Sequence, residues 1–151
     1  MNVVTSLDDL NWLFRYFNGN HIRLVLSPEA VTAVTDRGEL RVLSTISYAR
    51  KGKRDVIVGI GDDPVHDVDA TTVNLFSEAA VASPDYDDLL EKFLRLLLKR
   101  LPRNGSIFRP VVLVEGLNSL SRRIIDRTHD SVIRSLANAG ASAVVIDPAS
   151  N

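Results

Sequence analysis

The chain has 151 residues, of which 45% are hydrophobic and 25% are charged, and its formal net charge is -1. This length fits one domain with a buried core, and the near-neutral charge excludes a general electrostatic attraction to nucleic acid or to an acidic substrate. Cysteine is absent, which excludes disulfides, thiolate metal sites and cysteine nucleophiles.

The first element is an amphipathic helix over residues 6 to 18, which we predict as a separate N-terminal helix within residues 1 to 20. Ser6 is a suitable N-cap, and Asn18-Gly19-Asn20 predicts the end of the helix. Its aromatic side chains suit a membrane interface, yet interfacial helices usually carry more cations than this one. The helix is therefore expected to contact a membrane or a partner, or else to pack on the domain. The contact residues would be Leu10, Trp12, Leu13, Phe14 and Phe17.

Short β-branched and apolar runs predict a series of strands after this helix. They cover residues 21–26, 30–35, 40–43, 46–48, 56–59 and 73–76. Asp36-Arg37-Gly38 separates two of these runs and is a strong signal for a short β-hairpin.

Two charged loops interrupt this strand region. Arg50, Lys51, Lys53 and Arg54 place four cations within five residues. This pattern is typical of a solvated hairpin tip, and the alternative is a contact for lipid headgroups or nucleic acid. The loop over residues 62–69 carries four carboxylates and His66. It does not match the calcium-loop template, so we interpret it as solvated, with a metal site as the alternative.

The second half of the chain predicts helices that alternate with strands. Ser83-Pro84-Asp85 indicates a helix start, and the helix is expected to end before Pro102. A strand over residues 111–114, a helix over about 119–138 with a break near 128–130, and a strand over 143–146 follow. This alternation predicts an α/β fold.

The helix over residues 84–101 is apolar on much more than one stripe. Such a helix is either buried on two sides or exposes a face for a partner. On the second interpretation, the association residues would be Leu90, Leu94, Leu97 and Leu98.

Residues 109–148 contain three motifs in a recognisable order. Arg109-Pro110 precedes a strand, Ser121-Arg122-Arg123 begins a helical segment, and Ala139-Gly140-Ala141 leads to a strand that ends at Asp147-Pro148. This order resembles the bacterial actin homologue MreB, which has a Glu-Arg-Arg helix at the position of Ser121-Arg122-Arg123. The order of elements upstream is similar too. The resemblance implies an actin-like, ribonuclease-H-like single domain over residues 21–151, with a mixed central sheet flanked by helices. It corresponds to the first of the family's two domains.

The chain departs from the family where the family binds nucleotide. Arg23 stands at the position of the aspartate in the family's first phosphate loop, and Val25 stands at the position of its glycine. Arginine reverses the charge, and a β-branched side chain blocks the close approach of phosphate to the backbone. The expectation is therefore a protein without a nucleotide, metal or other cofactor and without enzymatic activity.

What the resemblance still implies is association. We expect self-association, or binding of a cytoskeletal or membrane-associated partner, in bacterial cell shape or envelope organisation. The expected location is cytoplasmic, with peripheral placement at the inner face of the membrane. Two alternatives stay open: a ribonuclease-H-like or small-molecule enzyme using Asp62, Asp67 or Asp69, and a lipid or nucleic-acid adaptor using residues 50–54.

Overall fold

The computed structural model describes residues 2–4, 21–102 and 109–147. These residues form nine strands, three α-helices and one short 3-10 helix. In chain order they are β1 (Asn2–Val4), β2 (His21–Leu26), β3 (Ala30–Thr35), β4 (Gly38–Leu43), β5 (Thr45–Lys51), β6 (Arg54–Ile60), β7 (Thr71–Asn74), α1 (Glu78–Ala82), α2 (Tyr86–Arg100), β8 (Val111–Glu115), the 3-10 helix (Leu117–Ser119), α3 (Arg122–Asn138) and β9 (Ala143–Ile146).

Six strands form a mixed main sheet in the order β1-β9-β8-β2-β3-β4. The pairs β1–β9, β9–β8 and β8–β2 are parallel, whereas β2–β3 and β3–β4 are antiparallel. Thr35 pairs with Gly38 across a two-residue turn, so the hairpin predicted at residues 36–38 is confirmed. The expected α/β architecture with a mixed central sheet is confirmed as well.

The main core lies on one face of this sheet. Successive residues of a strand point to opposite faces, so Ile22, Leu24 and Leu26 share one side of β2. All three are buried in one cluster with Val112 and Val114 of β8 and with the apolar sides of α2 and α3. Because the apolar side chains of β2 and β8 point to this face, the two long helices α2 and α3 pack there.

A smaller apolar cluster occupies the other face. It contains Val111, Ala143 and Val145, which are 0%, 3% and 1% exposed. Strand β9 is therefore buried on both faces, which is why all four of its residues are apolar.

A second sheet of three antiparallel strands, in the order β6-β5-β7, is inserted between β4 and α1. Ser44 joins the two sheets and is fully buried. Its amide donates to the carbonyl of Glu29, its hydroxyl donates to the carbonyl of Ser27, and its own carbonyl accepts from the amide of Leu75. A buried residue with all of its polar groups bonded fixes the junction.

Helix α2 is a core element, and this corrects the interpretation that its leucines form an open association face. Leu90, Leu94 and Leu97 are 0% exposed and Leu98 is 2% exposed. The physical reason is that the main sheet and its neighbouring helices cover the helix on more than one side, so its wide apolar surface is used within the domain.

The helix boundaries also differ from the expectation. Ser83 caps the end of α1, a five-residue helix that the sequence did not predict, and α2 begins at Tyr86. Ser77 forms the N-cap of α1, and its side chain accepts from the amide of Ala80 at 3.2 Å. Strand β1 was not predicted either, because residues 2–4 are too few to carry a pattern.

Helix α3 runs without a break through Thr128, where an interruption was expected. Thr128 is buried, and its hydroxyl lies 3.2 Å from the hydroxyl of Tyr86 on α2. This contact with α2 stabilises the helical conformation at Thr128, so a low intrinsic helix propensity does not interrupt the helix here. Of the helices that the structure describes, none combines the length and hydrophobicity needed to span a membrane.

Candidate interaction site

The carboxyl ends of β2 and β8 lie side by side at one end of the strands of the main sheet, because the two strands are parallel neighbours. Val25 pairs with Glu115 and Arg23 pairs with Leu113. The guanidinium of Arg23 donates to the carboxylate of Glu115, which is one diagonal step away on the same face. We call Arg23, Val25, Glu115 and Gly116 the strand-end cluster.

The backbone amides of the turn after β2 are bonded within the chain. The amide of Ser27 donates to the carbonyl of Ala30 at 2.9 Å, and the amide of Ala30 donates to the hydroxyl of Ser27 at 3.0 Å. Pro28, between them, has no amide hydrogen. A phosphate loop needs such donors free for the anion, and the donors of Ser27 and Ala30 are already used.

The turn after β8 closes tightly against β2. Gly116 has φ of 84°, and a Cβ at this position would lie 2.2 Å from the carbonyl oxygen of Leu26. The hydroxyl of Ser119 donates to the same carbonyl at 3.1 Å. The two strand ends are therefore joined by backbone contact, a hydrogen bond and the Arg23–Glu115 ion pair.

The acidic loop is organised by two ion pairs. Arg100, at the end of α2, donates from both of its terminal nitrogens to Asp63, at 3.0 and 2.5 Å, and the amide of Ile60 donates to the same carboxylate at 3.0 Å. Hydrogen bonding from Arg100 is the main cause that lowers the pKa of Asp63, and the Ile60 amide adds to it. Lys51 contacts Asp67 at 3.6 Å.

The remaining loop carboxylates do not form a site. Asp62, Asp69 and His66 are exposed. Across residues 2–4, 21–102 and 109–147, no group of three or more histidines and carboxylates is placed to hold a metal ion. The structure therefore does not gather Asp62, Asp67 and Asp69 into the cleft that the enzyme alternative requires.

The basic segment forms the tip of the β5–β6 hairpin. Gly52 occupies the first turn position with φ of 69°, the conformation that two-residue hairpins require there. Arg50, Lys51, Lys53 and Arg54 are all exposed. The prediction of a solvated hairpin tip is confirmed.

The predicted contact residues of the N-terminal helix, Leu10, Trp12, Leu13, Phe14 and Phe17, lie outside the described residues.

Solved structures of bacterial actin-like proteins share this fold. MamK, solved as a non-polymerising A278D mutant bound to AMPPNP, matches with a TM-score of 0.58 and 12% sequence identity over 85% of this chain. MreB5 of Spiroplasma citri matches with a TM-score of 0.56 and 16% identity in its AMPPNP complex, and with 0.58 and 15% in its ADP complex, each over 86% of this chain. The protein therefore has an actin-like fold, as the resemblance to MreB implied.

The match covers part of each relative. This chain spans 41% of the MamK chain and 38% of each MreB5 chain. No protein-family model matches the sequence, and a search of curated proteins finds no match. At 12–16% identity the likeness establishes the fold alone.

The sequence indicates one side of the strand-end cluster and not the other. Arg23 and Val25 were visible as departures from the family pattern, whereas Glu115 was not recognised as the partner of Arg23. The available signal was Glu115 itself, a single carboxylate at the end of an apolar strand and directly before a glycine. In the structure, this strand ends beside the end of β2. Arg100 was missed in the same way, because its partner Asp63 is 37 residues away.

Proposed function

We propose that this chain is a non-enzymatic actin-like protein that acts by association, with copies of itself or with a cytoskeletal partner. The observation that carries the proposal is the ion pair of Arg23 with Glu115 at the strand ends. The MreB-like pattern has an aspartate where Arg23 stands, and a carboxylate there serves the metal–nucleotide site. Here Arg23 replaces that aspartate and is paired with Glu115. Neither residue therefore offers a free carboxylate at the strand ends.

The bonding of the neighbouring backbone supports the same conclusion. The amides of Ser27 and Ala30 are used within their own turn, and Gly116 lies against the carbonyl of Leu26. A nucleotide phosphate would have to displace these hydrogen bonds, each of which typically contributes about 0.5–1.5 kcal/mol.

An outer strand of the main sheet supports association. Strand β4 lies at the end of the main sheet, and in the described part of the chain it pairs with β3 alone. The charged residues Glu39 and Arg41 on this strand disfavour unspecific addition of another strand. Leu43 is 36% exposed and offers an apolar contact. Unpaired strand edges are sites where another chain can add a strand.

Calorimetric titration with Mg-ATP tests the nucleotide half of the proposal. We expect no saturable binding by the wild type and none by Arg23→Met, which removes the cation and keeps the apolar stem. Saturable Mg-ATP binding by the wild type would overturn the proposal. Retention of such binding in Arg23→Met would further show that the arginine itself does not hold the phosphate.

The setting we propose is the bacterial cytoplasm at the inner face of the membrane, in an assembly that organises cell shape or the envelope. The MreB-like resemblance motivates it. Fluorescence microscopy of a tagged chain in its host is the test, with discrete peripheral structures expected. A uniform cytoplasmic signal at native expression would contradict this placement.

A second candidate function is binding to anionic lipid through the β5–β6 hairpin, favoured by the exposure of Arg50, Lys51, Lys53 and Arg54. Clustered cations gain about 1 kcal/mol each near an anionic bilayer, and the gain falls with salt. Sedimentation with phosphatidylserine vesicles at low and high salt tests it. The variant K53E/R54E should stay in the supernatant, while Lys99→Glu on the exposed side of α2 should pellet like the wild type. Equal pelleting of all three proteins, or none, would remove this function.

A further inference from the structure

The face of the main sheet that lies opposite α2 and α3 is buried, although the described residues do not cover it. Val111, Ala143 and Val145 are 0%, 3% and 1% exposed, and within the described ranges the apolar residue that packs against them is Leu113. Leu113 pairs with Val145 in the same sheet and points to the same face. Residues that lie side by side on one sheet face cannot cover each other from above, so the cover comes from outside the sheet. We call these four residues the back face.

The helices and the inserted sheet lie on the other side. Each contributes buried residues to the main cluster, for example Val81 of α1, Leu90 of α2, Val132 of α3 and Ile46 of β5. That cluster contains Val112, which is next to Val111 in β8 and therefore points away from the back face. These elements are thus already used on the main-cluster side of the sheet.

The connection between β1 and β2 must cross one face of the sheet. The pairs β1–β9, β9–β8 and β8–β2 are all parallel, so β1 and β2 run in the same direction with two strands between them. The chain therefore has to return from the carboxyl end of β1 to the amino end of β2. Residues 5–20 make this connection.

Handedness selects the face that this connection crosses. Connections between parallel strands of one sheet are right-handed in about 98% of cases. Helix α3 joins β8 to β9 on the main-cluster face and moves across the sheet towards β1. The connection from β1 to β2 moves in the opposite direction. Two connections of the same hand that move in opposite directions lie on opposite faces, so residues 5–20 belong on the back face.

The length and the pattern of this segment fit the path. Strands β1 and β2 are three strand spacings apart, which is roughly 14 Å. The helix predicted over residues 6–18 would be roughly 20 Å long, enough to cross β9 and β8 diagonally. At one turn per 3.6 residues, Leu10, Leu13, Phe14 and Phe17 fall on one side of it. An apolar stripe of this width matches an apolar sheet face.

The other stretches outside the described residues are too short to supply this cover. They are residue 1 and residues 103–108 and 148–151. A helix of six residues rises only about 9 Å, which is less than the width of the buried strands.

We infer that residues 5–20 cross the back face as a helix and form the second covering layer of the main sheet. The apolar stripe of Leu10, Leu13, Phe14 and Phe17 then belongs to the core of the domain and is not available to a bilayer or a partner. Lipid binding, if the hairpin tip provides it, would not involve this segment. The inference is independent of the proposed self-association, because it concerns the interior of one copy.

Tryptophan fluorescence tests which side of the segment is covered. Trp12 is the single tryptophan of the chain, and on a helix it falls on the side opposite the apolar stripe. The double variant Trp12→Phe/Phe14→Trp moves the reporter into the stripe. Iodide should quench this variant several-fold less than it quenches the wild type or free N-acetyltryptophanamide. Quenching of the double variant as strong as that of either reference would overturn the inference.

Two further conditions identify what supplies the cover. The shielding of the double variant should be present without lipid and should not change on dilution. Shielding that arises only with phosphatidylserine vesicles would assign the stripe to a membrane, and shielding that is lost on dilution would assign it to a second copy. Either result would overturn the inference.

Thermal unfolding provides an independent test. Phe14→Asp should lower the Tm by roughly 5 °C or more, because it places a carboxylate against the apolar back face. Arg15→Asp is the matched control on the opposite side of the same helix and should shift the Tm by less than about 2 °C. A Phe14→Asp protein with the Tm of the wild type would show that the stripe is not part of the core.

Discussion

At the scale of single residues, the strand-end cluster joins β2 to β8 through contacts internal to the chain. Arg23 is bound to Glu115, and Gly116 lies so close to Leu26 that a side chain would not fit. Each contact stabilises the junction of β2 with β8. We propose that the same contacts leave no free carboxylate and no free backbone approach for a nucleotide at these strand ends.

Replacement of Gly116 by alanine adds a single methyl group and is predicted to destabilise the protein strongly. Gly116→Ala must place a Cβ 2.2 Å from the Leu26 carbonyl and must also hold alanine at φ of 84°. We expect a loss of about 2–4 kcal/mol in the free energy of unfolding, measured by urea denaturation.

Gly52→Ala is the matched control for this prediction. Gly52 also has a positive φ, but no atom lies within 4 Å of its Cβ position. The control is expected to lose about 1–2 kcal/mol from backbone conformation alone. Equal losses in the two variants would show that the contact with Leu26 contributes nothing.

Asp63 links the inserted sheet to α2, and its contribution should depend on pH. The pKa of Asp63 is held below its ordinary value of 3.8, chiefly by the hydrogen bonds from Arg100. A group whose pKa is lowered on folding stabilises the protein above its unfolded pKa, and this stabilisation is lost as the pH falls through the folded value.

Asp63→Asn should therefore lower the free energy of unfolding at pH 7 by about 0.5–1 kcal/mol, since the ion pair is partly exposed. The difference from wild type should disappear well below pH 3.8. Urea denaturation across this pH range is the measurement, with exposed Asp62→Asn as the control. A difference that persists unchanged in acid would show that the charge of Asp63 is not responsible.

At the scale of elements, α2 carries the core. Its leucines contact the sheet on one side and helices on others, and a line of polar contacts sets its register against α3. Tyr86 pairs with Thr128, Asp87 accepts from Ser131, and Glu91 accepts from Asn138 at 3.0 Å. Burial raises the pKa of Tyr86 to about 12, which is consistent with a hydroxyl enclosed between the two helices.

The burial of α2 predicts that its leucines act on stability and not directly on association. Leu94→Ala should cost about 2–5 kcal/mol of unfolding free energy, as other buried leucine truncations do. Leu96→Ala, at a half-buried position on the same helix, should cost clearly less. A Leu94→Ala protein of wild-type stability that has lost self-association would restore the association-face interpretation.

The elements also show which parts of the structure are predictable from the sequence. The β3–β4 hairpin follows from Asp36-Arg37-Gly38, because a tight turn depends on local residues. Helix α1 could not be predicted in this way, since five residues are too short for a periodic pattern. The role of α2 was undetermined for a different reason: a wide apolar surface indicates burial but does not say whether the cover is the same chain or a partner.

The candidate site was predictable to a lesser degree. Arg23 and Val25 were visible because a family pattern supplied an expectation to compare with. Glu115 and Arg100 were not, because each acts through a partner far away in sequence, and only the parallel pairing of β2 with β8 or the packing of α2 brings them together. A pocket that is lined by residues of α1 and α3 forms only when these two helices pack together.

At the scale of the whole molecule, the mixed main sheet of an actin-like fold carries an inserted three-stranded sheet. The strand-end cluster contains no free carboxylate from the Arg23–Glu115 pair, so we expect association to be independent of nucleotide.

Sedimentation velocity of the wild-type chain over a range of concentrations, with and without Mg-ATP, tests this account most directly. We predict that the weight-average sedimentation coefficient rises with protein concentration and that the two series coincide. A single monomeric species at every concentration, or association that appears only with Mg-ATP, would contradict it.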